Sequence, residues 1–146
     1  MICYHGTTID SLDSIKRDRV LKASSPEISH YNDLGGLSTT YGYVYVTSDY
    51  LTAVDFAERH FEKCNNNHIN LPRQLVIIRL DIPESKVVDD LDEQEKGNCE
   101  NCYRIKGDIC MPKIHYTVLA FNKYDHYCDM IDYHSEELRK VVWKAI

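Results

Sequence analysis

The sequence predicts an α+β fold on three observations. Apolar residues recur at helical spacing in two stretches of the first half. Runs of β-branched and aromatic residues dominate the second half, as segregated helices and strands require. No internal repeat or low-complexity linker interrupts residues 1–146, so they read as one continuous domain.

Residues 1–5 form a short first strand. Thr8 or Asp10 then caps a helix whose apolar positions are Ile9, Leu12 and Ile15. Lys16, Arg17 and Arg19 suit the C-terminal end of that helix dipole. Residues 24–41 contain Ser-Ser-Pro, Asn-Asp and Gly-Gly and read as a long loop, a feature that is uncommon in a compact domain and often functional. Gly42-Tyr43-Val44-Tyr45-Val46-Thr47 has the composition of a strand. Ser48 or Asp49 caps a second helix over residues 51–61, with Ala53, Phe56, Ala57 and His60 along one face and Asn65-Asn66-Asn67 ending it. Residues 74–80, with Leu75, Val76, Ile77 and Ile78 in succession, suit a strand buried on both faces. Further strands are expected at 87–88, 102–106 and 114–121. The tail from 135 to 143 reads as helical, with Leu138, Val141 and Val142 as its apolar side.

Composition narrows the function. With 43% hydrophobic and 27% charged residues, 146 residues suffice for one domain with a real core. No apolar run reaches the roughly 18 residues of a membrane span, so no membrane partner is expected. The first residues lack a basic region followed by an apolar stretch, which argues against a secretory signal and for a cytoplasmic location. The net charge of -6 argues against a general nucleic-acid coat. Eight acids and two bases between Asp81 and Glu100 account for all of it, and such a run reads first as a solvated loop.

Six cysteines without a signal peptide indicate a reducing cytosol and free thiols. The alternative is a structural zinc: Cys64-x3-His68 and Cys99-x2-Cys102 have the spacing of a four-ligand site, whereas Cys3, Cys110 and Cys128 do not.

Two short motifs could carry chemistry. Tyr4-His5-Gly6-Thr7 places a switchable imidazole beside a glycine that lets a ligand approach the backbone. The Tyr43–Thr47 stretch offers aromatic rings to a flat heterocycle, although Tyr43 and Tyr45 on one strand face could simply pack. Jointly they say more. A His-Gly-Thr on the first strand, a helix, a polar loop, then Gly-Tyr-Val-Tyr-Val-Thr and an Ala-x-x-Phe-Ala helix resembles the ADP-ribosyltransferase superfamily. More narrowly, the order looks like its diphtheria-toxin and poly(ADP-ribose) polymerase branch, with a His–Tyr–Glu active site. Residues 74–80 and Tyr103-Arg104-Ile105-Lys106-Gly107-Asp108-Ile109 also look like the central and following strands of that fold. The likeness covers residues 1 to 120, and its first half is the distinctive part.

The resemblance implies a split β-sheet core with two short helices near the N-terminus. It implies NAD, consumed as a substrate, and no required metal. His5 then holds a ribose hydroxyl, and the Gly6 backbone binds the nicotinamide amide, with Thr7 beside them. Tyr45 stacks on the nicotinamide ring, and Phe56 closes the other side. Ala53 stands where polymerases place a serine for the amide, and the adjacent Thr52 offers the nearest hydroxyl. The catalytic acid falls at Glu100, before the strand 102–106, with Glu93 and Glu95 as rivals. Ser29-His30-Tyr31-Asn32, in the loop, correspond in position to a segment lying over the nucleotide.

The implied function is mono-ADP-ribosyl transfer to a macromolecule with release of nicotinamide. By analogy with small stand-alone bacterial or phage effectors, the acceptor is a host protein rather than a nucleic acid. The RNA 2′-phosphotransferases, which also begin on a histidine motif, rely on additional arginines; here the seven are Arg17, Arg19, Arg59, Arg73, Arg79, Arg104 and Arg139, without an evident cluster. The competing readings are a catalytically silent domain of the same fold that binds a nucleotide or protein, and a zinc-stabilised interaction domain.

Overall fold

The computed structural model describes residues 1–25, 40–65, 73–90, 101–121 and 142–146. Its elements run β1 (Ile2–Thr8), α1 (Ile9–Asp18), β2 (Val20–Leu21), β3 (Tyr43–Thr47), α2 (Tyr50–Asn65), β4 (Arg73–Asp81), a 3-10 turn at Glu84–Lys86, β5 (Val88–Asp89), β6 (Cys102–Lys106), β7 (Ile109–Cys110), β8 (His115–Phe121) and β9 (Lys144–Ala145). Among the described residues seven strands form one antiparallel sheet in the order β5-β6-β3-β1-β4-β8-β9, while β2 and β7 pair separately. The α+β expectation is thereby met, with two helices and a mainly antiparallel sheet.

The sheet carries a core on each face because its inner strands are apolar at successive positions. On β4, Val76 and Ile78 join Leu12 and Ile15 of α1, whereas Leu75 and Ile77 join Ala53, Val54 and Ala57 of α2. All four β4 residues are fully buried, as the uninterrupted run predicts. β1 lies at the centre, paired with β4 along its whole length from Ile2↔Asp81 to Thr8↔Leu75.

Each helix terminus has a local cause. Thr8 is the N-cap residue of α1 in extended conformation, and its side chain makes no capping bond. Arg19 ends α1 in the left-handed region, φ 57°, with its N–H returned to Ile15 O at 2.7 Å. Asp49, one of the two caps foreseen for α2, accepts from the Thr52 N–H at 2.9 Å, satisfying a donor that the first turn leaves unpaired.

The expected helix over 135–143 fails at its described end. Residues 122–141 lie outside the described residues, but Trp143 is not helical and β9 pairs with His115 and Tyr116 of β8. Ile146 exchanges both of its backbone hydrogen bonds with Ile114, at 2.9 and 3.1 Å, so this backbone is committed to the sheet. Trp143 instead packs its ring on Tyr4, centroids 6.1 Å apart, and edge-on to Tyr50.

The reading of uniformly free thiols is also corrected. Cys3 and Cys110 are free, but Cys102 is disulfide-bonded. That bond removes its thiolate from the zinc tetrad proposed with Cys64, His68 and Cys99. The Cys64 side chain, His68 and Cys99 lie outside the description. No group of three or more metal-ligating side chains occurs among the described residues, and no described helix is long and apolar enough to cross a membrane.

Candidate functional site

The site is built where β1 and β3 part. In an antiparallel sheet the backbone groups of successive residues point alternately to the two neighbours. Met1 and Ile82 exchange hydrogen bonds at 2.8 and 2.9 Å, which directs the odd residues of β1 to β4 and the even ones, Tyr4 and Gly6, to β3. On the far side of β3, Gly107 N–H donates to Gly42 O at 2.8 Å and Ser48 N–H to Asn101 O at 3.1 Å. These bonds direct the even residues of β3 to β6 and leave Tyr45 facing β1. The β1–β3 register is nonetheless confined to Tyr4↔Thr47.

His5 occupies the opening. Its Nδ1 lies 2.9 Å from the carbonyl oxygen of Tyr45. A carbonyl can only accept, so Nδ1 carries the proton and donates. The imidazole thus takes the ladder acceptor that the Gly6 N–H would otherwise meet. Burial lowers the His5 pKa, and the bond to the Tyr45 carbonyl opposes that shift in part. The ring is therefore neutral at physiological pH, with an Nε2 lone pair that makes no hydrogen bond among the described residues. It is an acceptor suited to a sugar hydroxyl.

Gly6 is required for packing as well as for access. A Cβ there would collide with the Ala53 carbonyl oxygen and stand 2.7 Å from the Ala57 backbone nitrogen. α2 can lie this close to β1 only because residue 6 has no side chain. Ala53 is fully buried against it, so the position where a serine hydroxyl would reach the amide carries a methyl group.

The pleat puts Val44 and Val46 into the α1-side core and the Tyr45 ring on the opposite face. The Tyr45 hydroxyl accepts from Thr40 N–H at 2.7 Å and donates to Thr40 O at 2.8 Å, which ties residue 40 to the strand. His5 and Tyr45 therefore meet through imidazole and backbone carbonyl, and not ring to ring.

The other expected residues take varied places. Thr7 is buried, its Oγ1 3.4 Å from Nδ1 of His60 on α2. Thr52 donates its hydroxyl to Asp49 Oδ2 at 2.7 Å, completing the helix cap. Phe56 is half-buried, with the Arg59 guanidinium 5.7 Å from its ring centroid and Arg59 paired to Asp55 at 2.8 Å. Glu93, Glu95 and Glu100 lie outside the described residues, as do Ser29, His30, Tyr31 and Asn32. The start of β6 is nevertheless close to the site: Cys102 pairs with Thr47, which pairs with Tyr4. The Asn101 carbonyl accepts both Ser48 N–H and Thr47 Oγ1–H, the latter at 2.8 Å.

Sequence reasoning passed over Arg104. It stands directly across from Tyr45 in the β3–β6 register, and its guanidinium lies 4.5 Å from the centroid of Tyr43. Alternation along two adjacent strands was the available signal, but it needs the pairing to be known. Comparison with protein-family models, curated proteins and solved structures finds no match to this chain.

Proposed function

We propose that this domain is an NAD-dependent mono-ADP-ribosyltransferase acting on a macromolecular acceptor, with a protein as the favoured class. The observation that carries the reading is the parting of β1 from β3. There the Gly6 backbone turns toward a gap entered by the neutral imidazole of His5 and flanked by Tyr45. Gly6 N–H and C=O suit a carboxamide, which needs one donor and one acceptor. His5 Nε2 accepts from a ribose hydroxyl, and the Tyr45 ring offers a stacking surface.

In the reaction the bond between ribose C1′ and the nicotinamide nitrogen breaks, and its electron pair leaves with nicotinamide. The acceptor nucleophile forms the new bond to C1′ and gives up its proton. Positive charge builds on the ribose in between, as in glycoside cleavage. A carboxylate bonded to the ribose 2′-hydroxyl stabilises that charge more than the ground state, which is what accelerates the step. Glu100 is assigned this role by its sequence position before β6, with Glu93 and Glu95 as the alternatives. His5 positions the sugar and exchanges no proton.

A second reading, a silent nucleotide-binding domain, is favoured by two observations. The Thr52 hydroxyl is committed to Asp49, and Ala53 has no hydroxyl to offer the amide. One experiment separates the two. The protein is incubated with NAD labelled in its adenylate phosphate and a cell lysate, and free nicotinamide is assayed in parallel. Transfer predicts one or a few labelled bands with nicotinamide release, both lost in His5→Ala and Glu100→Gln at unchanged melting temperature. NAD binding without nicotinamide release selects the silent domain, and absence of both binding and release ends the transferase reading.

A further inference from the structure

We propose that the sheet face beside the start of α2 docks an acidic segment of a partner protein, with Arg79 taking its carboxylate. Under the transferase reading that partner is the acceptor, and the proposal rests on that reading for this identification alone. Tyr4, Arg79 and His115 oppose one another on β1, β4 and β8, so they form one row across three adjacent strands. Leu75 and Ile77 of β4 and Leu119 of β8 belong to the α2-side core, with Tyr4 packed against it. Alternation along each strand therefore puts Arg79 and His115 on that same face. The Trp143 ring lies against Tyr4 with centroids 6.1 Å apart, and Tyr50, the first residue of α2, stands edge-on to both rings.

The charge on this row is open to a partner. Arg79 is exposed and His115 half-buried, and among the described residues neither side chain makes a hydrogen bond, ion pair or ring contact. That sets Arg79 apart from Arg17 and Arg59, which pair with Asp18 and Asp55, from Arg19, which donates to Ile146 O, and from Arg104 over Tyr43. Asp81, the next acid along that face of β4, lies 3.5 Å from the Met1 amine instead. A carboxylate matches the planar guanidinium through two parallel hydrogen bonds, and the neighbouring imidazole adds one more polar contact. Half-buried Tyr4 and Trp143 supply apolar surface beside the charge, and Trp, Tyr and Arg are the residues that dominate protein interfaces. A nucleic acid would seek several cations along its backbone, where this row has one guanidinium and the chain a net charge of -6. Arg79 stands one strand over and two residues along from Gly6, which is about 5 Å across the sheet and about 7 Å along it. A segment anchored there lies next to the proposed site.

The test uses a fluorescein-labelled peptide of glutamate, leucine and glycine, and its counterpart with glutamine in place of glutamate. Fluorescence anisotropy should show the glutamate peptide binding the wild-type protein, less tightly as salt rises. Binding should weaken about three- to tenfold for the glutamine peptide and for Arg79→Gln, with Arg79→Lys, which keeps the charge and loses the fork, in between. Unlabelled glutamate peptide should also shift the emission of Trp143, the one tryptophan in the chain. The proposal is overturned by absence of binding, by equal affinity in wild type and Arg79→Gln, or by binding that leaves Trp143 emission unchanged. An oligothymidylate that binds as tightly as the glutamate peptide overturns it as well. Under the transferase reading, Arg79→Gln lowers the labelling of lysate proteins and leaves nicotinamide release into water unchanged. Peptide binding by a wild-type protein that transfers nothing keeps the docking site and withdraws only its identification with the acceptor.

Discussion

The tautomer of His5 is fixed by the Tyr45 carbonyl opposite Nδ1, and this contact sets its proposed role, whereas burial sets its pH response. Burial holds the folded-state pKa below the ordinary value, so on acidification the unfolded chain takes up a proton first. Stability contributed by neutral His5 is therefore full above about pH 6.5, falls as the pH drops below that value, and levels off beneath the folded pKa. The melting temperature should fall more between about pH 7.5 and pH 5 in the wild-type protein than in His5→Asn, which has no group to titrate there. Equal falls in both proteins would show that the imidazole is not the group being penalised. The place of His5 and Gly6 on the first strand was legible in the sequence because the His-Gly-Thr motif is local. The attachment of the Tyr45 phenol to Thr40 was not, because Thr40 belongs to no regular element and no periodicity links it to residue 45.

Between elements, the decisive contact is the approach of α2 to β1 at Gly6. Replacing that residue by alanine drives a methyl group into the Ala53 carbonyl, and the helix backbone cannot rotate out of the way as a side chain can. Overpacking of this kind costs about 1–3 kcal/mol or more, so Gly6→Ala should lower the thermal midpoint followed by circular dichroism. A midpoint equal to that of the wild type would mean that α2 does not seat on β1 this closely. The element types in this region were readable from periodicity, and the boundaries moved only slightly, α2 extending to Asn65. What misled was the C-terminal segment. Its helical pattern lost at Trp143 to pairing with β8, a non-local hydrogen-bond partner that a window of neighbouring residues does not contain. The β2–β7 pair escaped notice for a related reason, since two residues per strand give alternation no length to show itself.

Across the whole molecule, the two core layers share one strand. Ile77 of β4 belongs to the α2 side and Ile78 to the α1 side, so neither layer can lose its packing without disturbing the backbone that carries the other. The sequence announced this arrangement in the unbroken run from Leu75 to Ile78, whereas the disulfide at Cys102 was hidden because cysteine spacing does not specify pairing. The shared strand makes a cooperative prediction with a built-in reporter. Trp143 is the one tryptophan in the chain and packs with Tyr4 and Tyr50 on the α2 side, so its fluorescence follows that layer. Truncating either isoleucine to alanine removes a fully buried side chain and should cost about 2–5 kcal/mol. In urea unfolding, Ile78→Ala should shift the Trp143 fluorescence transition to lower urea by as much as it shifts the far-ultraviolet dichroism, although residue 78 faces the opposite core. Should fluorescence keep its wild-type midpoint while dichroism moves, the two layers unfold separately and β4 does not couple them.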